Sequence, residues 1–526
     1  MTHDRRGRFA FGLGVIAAAV CLVGAVASAA VDGIVDAAKK NDAAAVRAAL
    51  EQGADVNAHS SDGTSALHWA VYNDNADLVA RLIEAGADVN PRNDYDSTPL
   101  GEAAVTGDAE VVRKLVAAGA DVNAPGPDGE TPLMVLARGN GLDAARILIE
   151  HGADVKAREK WRGQTALIWA AAEGQSGMIK LLLEHGADPN VQSDVNEWQR
   201  QVSAEKRRMY RPYGGMTALM YAARQGCVAC AEALVAGGAD KDLSDPRGVT
   251  ALIIALDNLH FDLASYLVKA GASLNVWDWW GRSPLYVAVD MDTLPQGGRP
   301  DRRSIDKTTA LEVIAQMLDA GANPNLQLKL VPPYRARGPD RGCDGLLTTG
   351  ATPLLRAAKT FDVPAMKLLI AHGARVDLPT EPGVTPLMAA AGYGSLECDI
   401  RAYGNHYVAD DIQQKSIAAI QVLLDAGADV NATTTGGRRG HGPGQTALFG
   451  AAFWGWNDVV KFLAANGAKV DAADAEHKTA LDAALGRAGG HERGQSARVF
   501  EDTAETLKTL CGAQSGCDLA VLAPAS

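Results

Sequence analysis

After the uncharged segment from Phe9 to Ala30, no apolar run of this 526-residue chain is long enough to cross a bilayer. That lack excludes a protein with several membrane spans. Surplus positive charge is missing too. The 50 Lys and Arg stand against 63 Asp and Glu, a net charge of −13, which excludes a general nucleic-acid binder. There is no G-x-S-x-G, no P-loop, no H-E-x-x-H, and no G-x-G-x-x-G opening a helix after a strand. Zinc needs a second ligand pair beside Cys227 and Cys230, and none is spaced for it. Haem attachment fails because Ala231, not His, follows that pair. With no catalytic constellation, metal set or cofactor motif, the expectation is a protein that is not an enzyme, carries no cofactor and works by binding.

What the chain has is period. A Gly-Ala pair recurs with its Gly at 53, 86, 119, 152, 186, 238, 271, 321, 373, 427 and 467. A Thr-Pro-Leu, Thr-Ala-Leu or Ser equivalent begins at 65, 98, 131, 165, 217, 250, 283, 352, 385, 446 and 479. The spacing from Gly53 through Gly86 and Gly119 to Gly152 is 33 residues each time, and Gly238 to Gly271 is 33 again. A fixed period of this size marks a stack of similar supersecondary units. Pro99 and Pro132 suit a first helical turn behind a capping Thr. Glu102-Ala-Ala-Val reads as a short inner helix broken by Gly107, and Val111, Val112, Leu115 and Val116 follow at the spacing of a second helix. Gly119 is its stop, and Asp121-Val-Asn leads into an extended hairpin. No such unit covers its own apolar face, so stability comes from stacking.

The pattern resembles the ankyrin repeat, whose T-P-L-H-x-A signature stands here as Ser65-Ala-Leu-His68-Trp-Ala and Thr98-Pro-Leu. The resemblance covers nearly the whole chain beyond residue 29. It implies an all-α solenoid of about 12 helix-turn-helix units with hairpin fingers, and His68 as a structural hydrogen-bonding residue. Residues 30–57 read as an N-terminal capping repeat, with 31–57 missing its first half. Residues 58–478 form the array, and 479–526 a C-terminal cap and tail with a polar helix from about Ala497 to Leu510. A fold of this kind serves many functions.

The start is a separate matter. Arg5, Arg6 and Arg8 precede the apolar run, which ends in Ala27-Ser-Ala29, the form of a secretory signal peptide over 1–29. Twin-arginine export, a lipoprotein Cys21 and an uncleaved anchor are the alternatives. Cleavage removes Asp4 and the three Arg, leaving 47 basic and 62 acidic residues, net −15. The expected location is a bacterial periplasm or the outside, with no membrane contact beyond the signal segment.

Departures from the period carry the functional information. The usual 21 residues from Thr or Ser to Gly stretch to 38 at Ser283–Gly321 and 42 at Thr385–Gly427. The usual 12 from Gly to the next Thr become 31 at Gly186–Thr217, 31 at Gly321–Thr352 and 19 at Gly427–Thr446. Five insertions result, at 193–214, 291–308, 326–345, 392–412 and 433–445. Long loops cost little entropy, so an insert persists without function as readily as with one. Composition favours a working surface. Arg200, Lys206, Arg207, Arg208 and Arg211 with Tyr213 fall in the first, Arg299, Arg302, Arg303 and Lys307 in the second, and Lys329, Tyr334, Arg335, Arg337 and Arg341 in the third. Arg438 and Arg439 add to the fifth, whereas 392–412 is acidic. Arg with Tyr and Trp is the composition of binding hot spots. The other reading is solubilising charge, with aromatics folding the loops onto the stack.

Between the inserts lies the finger Val276-Trp-Asp-Trp-Trp-Gly-Arg282. Ankyrin proteins contact partners at finger tips and along the inner helices, so the resemblance puts Trp279, Trp280 and Arg282 at contact positions, and Trp277 in the same finger joins them as a candidate partner-binding residue. Three exposed Trp form an apolar patch that either a partner or the neighbouring inserts must cover. Six Cys follow residue 29, and an even number in an oxidising compartment reads as disulfides. Cys227–Cys230 and Cys511–Cys517 are local pairs, and Cys343–Cys398 remains by elimination. The function expected is a monomeric periplasmic scaffold that binds another protein. The alternatives are a subunit or maturation factor of an exported redox enzyme, and a thiol–disulfide protein using Cys227 and Cys230.

Overall fold

A Thr or Ser sets the start of each full repeat. In the second full repeat of the array the Thr98 hydroxyl accepts the Gly101 amide, Pro99 takes the first turn, and the inner helix Pro99–Thr106 ends at Gly107 in the left-handed region. Asp108 then caps the outer helix Ala109–Ala117, its carboxylate accepting the Glu110 and Val111 amides, and that helix buries Val111, Val112, Leu115 and Val116. The computed structural model describes residues 33–139, 141–196, 212–292, 304–330, 346, 349–394, 411–436, 442–488, 499–518 and 521. Among them are 24 helices in twelve inner–outer pairs, and the only strands are the two-residue segments Val195–Asn196 and Tyr213–Gly214. The all-α repeat architecture is the one the period predicts.

The chain divides into two compact units, residues 1–196 with 214–240, and residues 197–213 with 241–526. In the first, inner helices Ala66–Tyr72, Pro99–Thr106, Pro132–Gly139, Ala166–Ala172 and Ala218–Gln225 pack each on the next. In the second, the inner row is Ala251–Asp257, Pro284–Asp292, Pro353–Lys359, Pro386–Ala390, Ala447–Phe453 and Ala480–Ala484. Ala103, Ala104, Ala137, Ala170 and Ala171 are buried at the inner contacts; their small side chains let helix backbones approach.

Two expectations about the ends need correction. The capping repeat is not missing a helix: residues 33–39 and Ala43–Glu51 are both helical, and Ile34, Val35 and Ala38 are buried. The last helix is Glu501–Ala513, shifted a few residues from 497–510. The signal segment, 1–29, lies outside the described residues.

An asparagine ladder ties the first unit together. Asn57 donates to the Gly86 carbonyl and accepts the Asp88 amide, and Asn90 and Asn123 repeat both bonds one unit on. Asn190 does the same to Gly238 and Asp240. Lys156 holds this position between Asn123 and Asn190, and an ammonium has no acceptor to offer the next amide. Lys156→Asn is expected to add both bonds and raise stability by about 1 kcal/mol, read as a higher denaturant midpoint with an unchanged slope.

His68 behaves as the resemblance implies. Its Nδ1 accepts the Ser65 amide at 3.2 Å and its Nε2 lies 3.2 Å from the Ser97 carbonyl of the next repeat. Burial pushes its pKa below the ordinary 6.5, so the folded state binds fewer protons than the unfolded one below that pH. Stability therefore rises with pH through this window and is lost as pH falls below about 6.5. Between pH 7 and 5, wild type should lose more stability than His68→Gln, measured by urea unfolding; equal losses would remove His68 from the account.

Candidate functional site

Two successive fingers of the second unit are built on carboxylates that fold the backbone around themselves. Asp245 accepts the Arg247 and Val249 amides, and Asp278 accepts those of Trp280 and Arg282. Gly281 at φ 83° completes the second turn; a Cβ there would meet the Lys329 amide nitrogen at 2.5 Å. The Trp279 N–H donates to the Arg247 carbonyl at 2.7 Å, joining one finger to the next. On the other side the Lys329 and Leu330 amides both donate to the Trp280 carbonyl, so the start of insert 326–345 lies across this tip.

This arrangement sorts the three tryptophans. Trp277 and Trp279 are 49% and 43% exposed, but Trp280 is 3% exposed. Tyr95 and Trp161, each nine residues after a repeat-ending Gly as Trp280 is, stay exposed. Arg282 is also interior, at 4%. Its guanidinium spans Asp257 at 3.1 and 3.2 Å, its Nε reaches Asp278 at 2.7 Å, and it lies 5.4 Å from the Trp280 ring centre. Trp280 and Arg282, expected at the tip, are therefore its foundation. The insert supplied the cover that the sequence left open.

What faces outward is a row of aromatic–cation pairs. Arg247, held by two bonds to Asp245 Oδ2 at 2.9 and 2.7 Å, lies 5.4 Å from the Tyr213 ring centre. The Lys329 ammonium is 3.9 Å from the Trp277 ring centre, Trp279 stands beside them in sequence, and Leu330 is exposed. Arg247 was missed in the sequence, although it precedes Trp280 by one 33-residue period. Arg211, Arg299, Arg302, Arg303, Tyr334, Arg335 and Arg337 lie outside the described residues, as do Cys343 and Cys398. The local disulfides Cys227–Cys230 and Cys511–Cys517 are present.

The inner-helix row differs between the units. In the first it is open: Tyr72 and Val105 are exposed, Lys39 lies 5.0 Å from the Trp69 ring and Arg138 5.1 Å from the Trp169 ring. In the second the same positions, Asp257, Asp290, Arg356 and Lys359, are buried, with Arg356 Nε 2.6 Å from Asp290 Oδ1. Among the described residues no group of three or more His, Cys, Asp or Glu is placed to hold a metal, and no helix is long and apolar enough to cross a membrane.

Comparison with known proteins agrees with this geometry. The model for ankyrin repeats in three copies matches residues 34–126, 123–193 and 219–295, and the single-repeat model matches 443–475. The cyclin-dependent kinase 4 inhibitor B of Rattus norvegicus is 34% identical over 144 residues, 27% of this chain and 92% of that protein. The chain belongs to the ankyrin-repeat family. Human neurogenic locus notch homolog protein 1 is 31% identical over 141 residues, 24% of this chain but 6% of its own length. The B-cell lymphoma 3 protein homolog of Mus musculus is 29% identical over 134 residues, 25% of this chain and 27% of its own. The ankyrin matches break off at 295 and resume at 443, across the stretch where four of the five inserts interrupt the period. An ankyrin array is a protein–protein interaction scaffold, and on this one the tips of the second unit present the aromatic and cationic groups.

Proposed function

We propose that this ankyrin protein is an exported, non-enzymatic scaffold that works as a monomer in a bacterial periplasm and binds a partner protein through the finger tips of its second unit. One observation carries the reading. Trp277 and Trp279 stand exposed beside Arg247 and Lys329 on a turn that the buried Asp257–Arg282–Asp278 group holds fixed. Anchors of this kind bind well because little freedom is lost when they dock. In the same unit the inner-row side chains Asp257, Asp290, Arg356 and Lys359 are buried, whereas Trp277 and Trp279 at the tips are exposed. Export rests on the signal-like segment 1–29 and on cysteines that pair as they do in oxidising compartments.

The test is capture from a periplasmic extract on the immobilised wild-type chain and on a Trp277→Ser, Trp279→Ser variant, with amino-terminal sequencing of the exported protein. A partner retained by wild type and lost by the variant supports the reading. A partner held equally by both, or a chain found only in the cytoplasm, overturns it.

A further inference from the structure

In the first unit three outer helices, those behind Asp42, Asn75 and Asp108, open on a side-chain oxygen that accepts the amide three residues on, whereas those behind Gly141 and Gln175 have no such bond. Asn75 does so for Leu78 at 2.9 Å, and Asp108 for Val111 at 2.8 Å. The Asp108 slot thus holds a full negative charge against the positive end of its helix. In the repeat containing helix Val228–Ala236 that slot is occupied by sulfur: Cys227 is the cap residue, and its Sγ accepts the Cys230 amide at 3.2 Å. Cys227 is half-buried, whereas Cys230 is wholly buried where the sister helices place Leu78, Val111 and Met178. Of the bonded pair, Cys227 is the residue that reaches the surface and Cys230 is not. The slot that accommodates a carboxylate in a sister repeat would accommodate a thiolate here.

We propose that Cys227–Cys230 is a thiol–disulfide exchange site within the scaffold, reduced by the dithiol of a protein partner that attacks at Cys227. The partner's thiolate forms a bond to Cys227 Sγ as the Cys227–Cys230 bond breaks, and Cys230 leaves as a thiolate and takes up a proton. The partner's second thiol gives up its proton and attacks the partner's own sulfur in the mixed disulfide. Cys227 leaves as a thiolate into the cap slot. Two electrons have moved, and the partner's dithiol has become a disulfide. A dithiol state stabilised in this way makes its disulfide more readily reduced. The Gly174 carbonyl, 3.7 Å from Sγ, is farther than the amide. The charged side chains nearest in the chain and in the adjoining turn, Arg224, Glu232 and Glu173, are exposed and screened by water.

The molecule contains its own control. Cys511 lies in the last turn of helix Glu501–Ala513, bonded to Cys517 beyond it, where the carbonyl end of the helix disfavours a thiolate. The full chain is equilibrated with reduced and oxidised dithiothreitol at graded ratios, quenched with acid, and read by differential alkylation and peptide mass spectrometry. Cys227–Cys230 is expected to be half-reduced at a reductant ratio about tenfold lower than Cys511–Cys517. Alkylation of Cys227, in the reduced chain and in Cys230→Ala, is expected to reach half its maximal rate below the ordinary thiol value of about 8.5. If Cys230→Ala does not fold, the reduced wild type supplies the same profile. Half-reduction of both bonds at one ratio, or a Cys227 profile centred at or above about 8.5, overturns the proposal. Neither result bears on the finger tips.

Discussion

Arg282→Ala should unfold the second unit at markedly lower temperature or denaturant. Its side chain is buried between two buried carboxylates, Asp257 and Asp278, with three nitrogen–oxygen distances of 2.7 to 3.2 Å. Such an ion pair need not be worth much relative to a well-packed apolar replacement. Removing one side of it strands charges without water, which typically costs about 3–5 kcal/mol. Trp280 rests against the same guanidinium, so Trp280→Ser should be comparably harmful through the cavity it leaves, about 3–5 kcal/mol by analogy with large-to-alanine changes. The two losses should not add, because the residues touch. Circular dichroism melts of the single and double variants check this. Wild-type transitions in either single variant would mean that the buried group is not what fixes the finger.

Replacing Trp277 and Trp279 with Ser should do the reverse, leaving the melt nearly in place and weakening partner binding by at least about 30-fold. Both rings are close to half exposed, so the folded chain loses little packing when they go. Central aromatic anchors cost about 2 kcal/mol or more on truncation once a partner desolvates them, and 1.4 kcal/mol is tenfold in affinity. Lys329→Ala should cost less by itself, since its ammonium stays at a wet edge over Trp277. Calorimetric titration of the captured partner separates the cases. Wild-type affinity in a folded Trp277→Ser, Trp279→Ser variant would place the working surface elsewhere.

The repeats were legible because every signal for them is local. Thr98, Pro99, Gly107 and Asp108 each act within one turn, and a pattern needing no distant contact is read directly from the chain. Cys227–Cys230 and Cys511–Cys517 were legible for the same reason, lying three and six residues apart. The sorting of the tryptophans was not. Trp277, Trp279 and Trp280 are equivalent by composition, and what separates them is the passage of Lys329 and Leu330, about fifty residues later, across one of the three. The role of Arg282 was hidden likewise. Its partner Asp257 is 25 residues away, at the end of the previous inner helix, a neighbour only after the repeats have stacked. Sequence proximity singled out this finger and put Trp280 and Arg282, which are buried in it, at its tip.

Hydrogen exchange of the full chain with and without its captured partner tests the binding surface most directly. Slowed exchange at residues 244–249, 277–282 and 328–330, with the inner helices of the first unit unchanged, is the predicted result. Slowed exchange confined to Ala66–Tyr72, Pro99–Thr106, Pro132–Gly139 and Ala166–Ala172, with those finger tips unchanged, would contradict it.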